Sequence, residues 1–260
     1  MAGLGRRGRI ATSSVLALIC VAATGSCGPA ESRSELIVFA AASLTNTFSD
    51  IELAFEEVNP NVDVLMNFGP SSGLVSALRD GAPVDVIATA NTITMQSAVA
   101  EKLVWEPVTF AGNRLTIAVP EDNPAAIDTM ADLAEPGVLV AMCQPQVPCG
   151  IAAAQAIAAS GLKIEPVTFE LDVRGVLSKV ILDEVDAGFV YATDVVSAGS
   201  RVREISLPVG AAEVVNYPIA TVQGTTSPEV AQAFLDFVNS SLARDLLRTA
   251  GFTTPTGVTT

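Results

Sequence analysis

The chain has 260 residues, half of them apolar and only 16% charged, a composition typical of a well-packed globular protein that excludes a largely disordered one. Acidic residues outnumber basic ones by 28 to 14. The resulting net charge of −14 excludes nucleic acid as an expected partner, because nucleic-acid binding depends on basic contacts to phosphate.

The N-terminus has the pattern of a secretory signal. Three arginines within the first nine residues precede an apolar run over residues 10–23, which is shorter than the roughly 20 residues that span a membrane. Three small residues then lead to Cys27, and this segment is similar to the lipobox of bacterial lipoproteins. We therefore expect a signal peptide over residues 1–26, a lipid-anchored tether over 27–35, and a location on the outer face of the cytoplasmic membrane. The alternative is ordinary cleavage nearby, which would release a soluble secreted or periplasmic protein.

Apolar runs of β type alternate with helical patterns through the rest of the chain. The predicted strands cover residues 36–40, 62–68, 84–90, 115–119, 138–142, 167–171, 187–191, 204–207 and 217–222. The helices predicted between these strands end near residues 58, 80, 103, 134, 159 and 181. One or two further helices follow a Ser-Pro-Glu start at residue 227 and end at Gly251. This alternation predicts an α/β protein with largely parallel sheets.

Two predicted helices begin with hydroxyl residues directly after a strand. Ser43 follows three alanines at the end of the first strand, and residues 69–73, Gly-Pro-Ser-Ser-Gly, follow the second. A serine at such a turn caps the helix, and the free N–H groups there, together with the helix dipole, can bind an anion. The pair of turns therefore suggests an anion receptor, although a serine in this position is more often only a cap.

Two of the four cysteines, Cys143 and Cys149, are only six residues apart in the mature part of the chain. In an exported protein such a pair is typical of a disulfide. The alternative, a metal site, lacks ligands because the chain has no histidine and Cys27 is the only other mature cysteine.

Six motifs together resemble the substrate-binding proteins of molybdate ABC transporters, over essentially the whole mature chain. They lie at residues 38–46 (VFAAASLTN), 68–74 (FGPSSGL), 81–90 (GAPVDVIATA), 172–175 (DVRG), 188–194 (GFVYATD) and 251–252 (GF).

The resemblance implies a two-lobe periplasmic-binding-protein fold of type II, in which each lobe is a mixed sheet flanked by helices. Lobe one would comprise residues 36–112 and 218–260, and lobe two residues 113–217. The tetrahedral anion would be held between the lobes by hydroxyl and backbone N–H groups, without a counter-charge and without direct metal coordination by side chains.

Carried over by position, the resemblance assigns the ligand contacts to five residues. Ser43 and Ser71 would donate hydroxyl and backbone N–H bonds, Cys149 and Val173 would donate backbone N–H bonds, and Tyr191 would donate its phenol. Taken alone, Tyr191 could equally be a core aromatic residue and Val173 the first apolar residue of its helix.

We therefore expect a monomeric receptor without a cofactor that binds molybdate and tungstate and delivers them to the permease and ATPase subunits of an importer. The first alternative is a receptor for another oxyanion, such as sulfate or phosphate. A ferric-ion receptor is disfavoured because the chain has neither histidine nor a tyrosine pair in sequence. A hydrolase is a further alternative, but the chain has no Gly-x-Ser-x-Gly motif, no P-loop and no histidine base.

Overall fold

A computed structural model describes residues 33–208, 210 and 214–255. The predicted signal peptide and the lipobox cysteine, Cys27, lie outside the described residues.

The described residues form nine strands, each a run rich in apolar or β-branched residues. The strands are β1 (Ser34–Ala41), β2 (Val62–Gly69), β3 (Val86–Ala88), β4 (Val108–Pro120), β5 (Val140–Cys143), β6 (Thr168–Glu170), β7 (Ala187–Tyr191), β8 (Val202–Ile205) and β9 (Val214–Thr221).

The same part of the chain forms eight α-helices, most of which bury one apolar face. They are α1 (Thr45–Val58), α2 (Ser71–Arg79), α3 (Thr92–Ala100), α4 (Pro148–Ser160), α5 (Val173–Ile181), α6 (Ala192–Ala198), α7 (Pro228–Val238) and α8 (Ser241–Thr249). A 3₁₀ turn over Ala42–Leu44 connects β1 to α1.

Three elements differ from the sequence prediction. The strand predicted at 115–119 is the second half of the 13-residue β4, whose first half contains Gly112, Asn113 and Arg114 and therefore lacks a continuous apolar pattern. The helix predicted near 128–134 is a 3₁₀ turn over Met130–Ala134, opened by a capping box between Thr129 and Asp132. Helix α6 was not predicted.

The strands follow one hydrogen-bonded path in the order β2-β1-β3-β9-β4-β7-β5-β6, and β8 pairs with β4 beside this path. Strands β1, β2 and β3 are parallel to one another, as are β5, β6 and β7, whereas β4 and β9 run antiparallel to their neighbours. The first half of β4 pairs with β9 and the second half with β7 and β8. Strand β4 therefore belongs to two mixed sheets.

The hydrophobic core is divided in the same way. One cluster is built from buried residues between Leu115 and Leu207, and two others from residues between Leu36 and Ala111 together with residues between Tyr217 and Phe252. The lobe boundaries given above stay a prediction. No helix in the described part of the chain is long and apolar enough to span a bilayer.

Candidate functional site

The carboxyl ends of the parallel strands face one small cavity. All five residues singled out in the sequence line it: Ser43, Ser71, Cys149, Val173 and Tyr191. They come from five separate segments, each at the end of a strand or the start of a helix. In α/β folds a crevice at the carboxyl ends of strands is the usual place for a ligand.

Three of these residues lie in the first turn of a helix. Ser71 is the first residue of α2, Cys149 the second of α4 and Val173 the first of α5. The N–H groups of a first helical turn have no partner within the helix, and the dipole adds positive potential there. The three helix starts therefore direct hydrogen-bond donors and partial positive charge at the cavity.

The Ser71 hydroxyl does not cap its helix. Its Oγ accepts a hydrogen bond of 3.0 Å from the backbone N–H of Ala90, which follows β3, and the Ser71 residue is buried. Because this bond occupies the oxygen as an acceptor, the hydroxyl proton remains available for a ligand.

The predicted capping role of Ser43 is also wrong. Ser43 lies inside the 3₁₀ turn, whose N-cap is Ala41, and no side-chain cap is formed there. Instead its Oγ lies 2.9 Å from the Oη of Tyr217 on β9. Ser43 is the second residue of the turn, two positions past the N-cap, so its side chain is not where a cap would form.

Tyr191 ends β7, and its ring is 1% exposed. Its hydroxyl has no hydrogen-bond partner among the described residues, although its ring packs against Tyr217 with 6.1 Å between centroids. Burial raises the pKa of Tyr191 well above its ordinary value, so the phenol keeps its proton at neutral pH. A buried donor without a partner is costly, and a bound ligand that accepts from it would remove that cost.

Sequence reasoning missed the side chains behind the cavity. The buried Asn113, on β4, donates from Nδ2 to Thr193 Oγ1 at 2.8 Å and to Tyr217 Oη at 3.4 Å. Burial raises the pKa of Tyr217, so this phenol also stays protonated. No short-range pattern in the sequence marks these residues, because their partners lie far away along the chain.

A buried acid lies beside the site. The Oδ2 atom of Asp194, on α6, accepts the backbone N–H of Tyr191 at 2.9 Å. Burial raises the pKa of Asp194 to about 7, against the opposing effects of that hydrogen bond and of the positive charge of Arg174. Asp194 and Arg174 line a neighbouring cavity that shares Ser43 with the first.

The lining of the first cavity contains neither lysine nor arginine among the residues that the structure describes. Its one carboxylate, Asp172, caps α5 by accepting the N–H of Gly175 at 3.0 Å. Arg174 lies in the neighbouring cavity and does not line this one. The cavity therefore offers mainly neutral donors. Within the described ranges no group of three or more potential metal ligands is found.

Cys143 and Cys149 form a disulfide, which joins the end of β5 to the start of α4. The loop is tight, because a Cβ atom on Gly150 would meet the carbonyl oxygen of Gln144 at 2.0 Å. Only glycine fits there without displacing the backbone, so the loop fixes the position of the Cys149 N–H.

Comparison with known proteins gives consistent results. Residues 36–253 match the family described as bacterial extracellular solute-binding protein. The chain is similar to the molybdate-binding protein ModA of Mycobacterium tuberculosis, with 39% identity over 234 residues, which cover 90% of each chain.

Two solved structures show the same fold. The periplasmic molybdate-binding protein of Azotobacter vinelandii has a TM-score of 0.76 at 19% identity, covering 85% of this chain and 99% of that one. The sulfate-binding protein SubI of Mycobacterium tuberculosis has a TM-score of 0.77 at 20% identity, covering 86% and 88%. The resemblance and the two-lobe periplasmic-binding-protein fold predicted from the motifs are confirmed.

Proposed function

Because the chain belongs to the family of bacterial extracellular solute-binding proteins, we propose that it captures molybdate, and equally tungstate, between its two lobes and delivers it to an ABC importer. The relative named as a molybdate-binding protein covers nearly the whole chain, which favours this ligand over other solutes.

The observation that carries the proposal is the set of donors at the cavity. The Ser71 proton and the Tyr191 phenol are available, and the helix starts at Ser71, Cys149 and Val173 add backbone N–H groups. Such a set suits a fully deprotonated dianion, which accepts at every oxygen and needs no proton acceptor from the protein. Helix starts also stabilise a buried anion without a counter-charge.

The same geometry explains the expected selectivity. Molybdate and tungstate have the same charge and nearly the same size, so donors fixed on five segments fit both. Sulfate is smaller, and donors held at molybdate distances cannot all reach it within the usual 2.7–3.2 Å. Hydrogenphosphate carries a proton that needs an acceptor, and none of the five predicted contacts is a carboxylate; Asp172, the one carboxylate in the described lining, caps α5.

A sulfate receptor remains the second candidate, because the sulfate-binding protein above shares the fold. The two functions differ in which anion binds more tightly at fixed ionic strength. Sulfate that displaces molybdate at comparable concentration would show that the cavity is sized for the smaller anion and would refute the proposal.

Calorimetric titration of the mature protein with molybdate, tungstate, sulfate and phosphate is the direct test. Three variants, Ser43→Ala, Ser71→Ala and Tyr191→Phe, each remove one donor to the charged ligand. Such a hydrogen bond is worth about 1.5–3 kcal/mol, so the affinity for molybdate should fall roughly 10- to 100-fold in each variant. Ser178→Ala, at an exposed position on α5, is the matched control and should bind as the parent does. Affinities within twofold of the parent for all three site variants would move the ligand elsewhere.

We further propose that the receptor acts as a monomer without a cofactor or catalytic role, and that lipid on Cys27 holds it at the outer face of the cytoplasmic membrane. Its partners would be the permease and ATPase subunits of the importer. Support comes from the lipobox-like segment and from the family description as an extracellular binding protein.

A further inference from the structure

Tyr217 connects the two halves of the site without lining the cavity itself. It lies on β9 opposite Ala111 of β4, where the first sheet approaches the second. Its ring packs edge-on against Tyr191 and against Phe252, and its hydroxyl lies 2.9 Å from Ser43 Oγ. Its phenol is therefore placed to influence a predicted ligand residue from behind.

The direction of the hydrogen bonds can be assigned from Asn113. Its Oδ1 accepts the backbone N–H of Arg114 at 2.9 Å, which fixes the orientation of the amide. Its Nδ2 can only donate, and it donates to Thr193 Oγ1 and to Tyr217 Oη. Tyr217 is therefore an acceptor towards Asn113.

The one proton of the Tyr217 hydroxyl must then find its own acceptor. Ser43 Oγ, 2.9 Å away, is the closest oxygen to which this hydroxyl is hydrogen-bonded in the described part of the chain. If Ser43 donated instead, the fully buried phenol proton would lose this short contact, and an unmade buried hydrogen bond costs about 1–3 kcal/mol. The phenol therefore donates to Ser43, and the Ser43 proton is left for the cavity.

We propose that Tyr217 is a positioning residue that fixes the Ser43 hydroxyl as a donor, so that the cavity selects oxyanions without protons over those that carry one. This inference rests on the proposed function and names a determinant of its selectivity. A hydroxyl oxygen has two lone pairs, and the bond from Tyr217 uses one of them, so Ser43 has fewer orientations in which it can accept from a protonated anion than a freely rotating serine has.

The Ser71 oxygen also accepts a hydrogen bond from the protein, but from a backbone N–H group instead of a side chain. There the backbone N–H of Ala90 occupies the oxygen, and no substitution at position 90 other than proline removes that donor. The donor direction of Ser43 depends on a side chain, so it can be tested by mutation. Both serines then have one lone pair occupied by the protein and a proton left for the cavity.

The test measures molybdate and phosphate affinities of Tyr217→Phe, with phosphate measured by competition. The variant keeps the ring contacts and loses only the hydroxyl. Molybdate affinity should fall about tenfold, because the donor to the dianion is no longer fixed, while phosphate affinity should hold or rise. The ratio of molybdate affinity to phosphate affinity should therefore fall by about tenfold or more. An unchanged ratio would overturn the proposal.

Thr193→Val is the matched control. It removes the other buried hydrogen bond of Asn113 but leaves the contact between Tyr217 and Ser43 intact, and Thr193 does not line the cavity. We expect a loss of stability with molybdate affinity within twofold of the parent. If Thr193→Val narrowed the ratio as much as Tyr217→Phe does, general loosening would explain the effect and the proposal would be wrong.

A double-mutant cycle measures the coupling between Tyr217 and Ser43 in molybdate binding, which a merely structural role of Tyr217 would not produce. In a Ser43→Ala background, Tyr217→Phe should no longer change molybdate affinity, because its effect passes through the serine. Independent, additive losses would overturn the assignment.

If Tyr217→Phe fails to fold, a second experiment replaces the Tyr217 hydroxyl by a more acidic one. The chain has two tyrosines, so 3-fluorotyrosine incorporated into a Tyr191→Phe variant is found at position 217 alone. The more acidic phenol donates more strongly, so molybdate should bind more tightly than in unlabelled Tyr191→Phe, and equal or weaker binding would refute the inference. If the parent protein binds no molybdate, the proposed function itself is refuted. If the parent binds molybdate and Tyr217→Phe has the same affinities for molybdate and phosphate as the parent, only this inference is refuted.

Discussion

Asp194 provides a sharp test of the electrostatics beside the cavity. Its carboxyl is 1% exposed, and burial raises its pKa from 3.8 to about 7. The bond from the Tyr191 N–H and the charge of Arg174 lower the pKa, and the negative charge of Asp172 raises it. Asp50 lines the same neighbouring cavity. The native protein therefore holds this proton more tightly than the unfolded chain does.

The sign of the pH dependence follows directly. Between pH 4 and 7 the unfolded chain has lost this proton while the native protein keeps it, so the contribution of Asp194 to the free energy of unfolding falls as pH rises. Groups whose pKa is lowered, such as Asp132 and Glu101, act in the opposite sense, and their contribution is lost only as pH falls through their folded pKa values, below this window.

The magnitude can be worked from the shift. Each pKa unit is worth about 1.4 kcal/mol, so a shift of roughly three units removes on the order of 4 kcal/mol between pH 4 and pH 8. Asp194→Asn keeps an oxygen that can accept from Tyr191 but has no charge to bury. We expect the variant to match the parent near pH 4 and to exceed its stability by several kcal/mol at pH 8, or about 10 °C in Tm for a domain of this size.

The assay is urea or thermal unfolding of parent and Asp194→Asn at half-unit steps from pH 4 to pH 8. Taking the difference between the two proteins removes the contribution of every other carboxyl, including Glu52, whose pKa is also raised by burial. Curves that run parallel across this range would refute the reasoning, because they would mean that Asp194 is already ionised in the native protein at pH 4.

Three further predictions concern the loop and the anchor. Gly150→Ala should destabilise the protein by about 1–3 kcal/mol and weaken molybdate binding, because the alanine Cβ would meet the Gln144 oxygen at 2.0 Å. Thermal unfolding with and without molybdate measures the loss of stability and the loss of binding. Cys143 and Cys149 should be oxidised in exported protein, and two free thiols in unreduced peptides by mass spectrometry would contradict this; reduction should cost about 2 kcal/mol of stability. Cys27→Ala should shift the protein from the membrane to the soluble fraction, and unchanged fractionation would place the anchor elsewhere.

Most of the fold could be predicted because its signals are local. Apolar runs and helical spacing located the strands and helices on both sides of the cavity, apart from α6. The first half of β4 could not be predicted, since Gly112, Asn113 and Arg114 break the apolar pattern. These residues form a strand through pairing with β9, about a hundred residues further along the chain, and such pairing leaves no mark on a short window of sequence.

The candidate site likewise has features that are local in sequence and features that are not. The positions of Ser43 and Ser71 could be predicted because a strand followed by small and hydroxyl residues is a local pattern. From that pattern alone their roles could not be predicted, because a serine at a helix start can cap the helix or donate to a ligand, and the choice depends on what occupies its oxygen. For Ser71 that group is the N–H of Ala90, and for Ser43 it is the phenol of Tyr217, 174 residues away. The bonds that turn two apparent caps into proposed donors are thus tertiary contacts, and one of them comes from Tyr217, a residue that none of the six motifs contains.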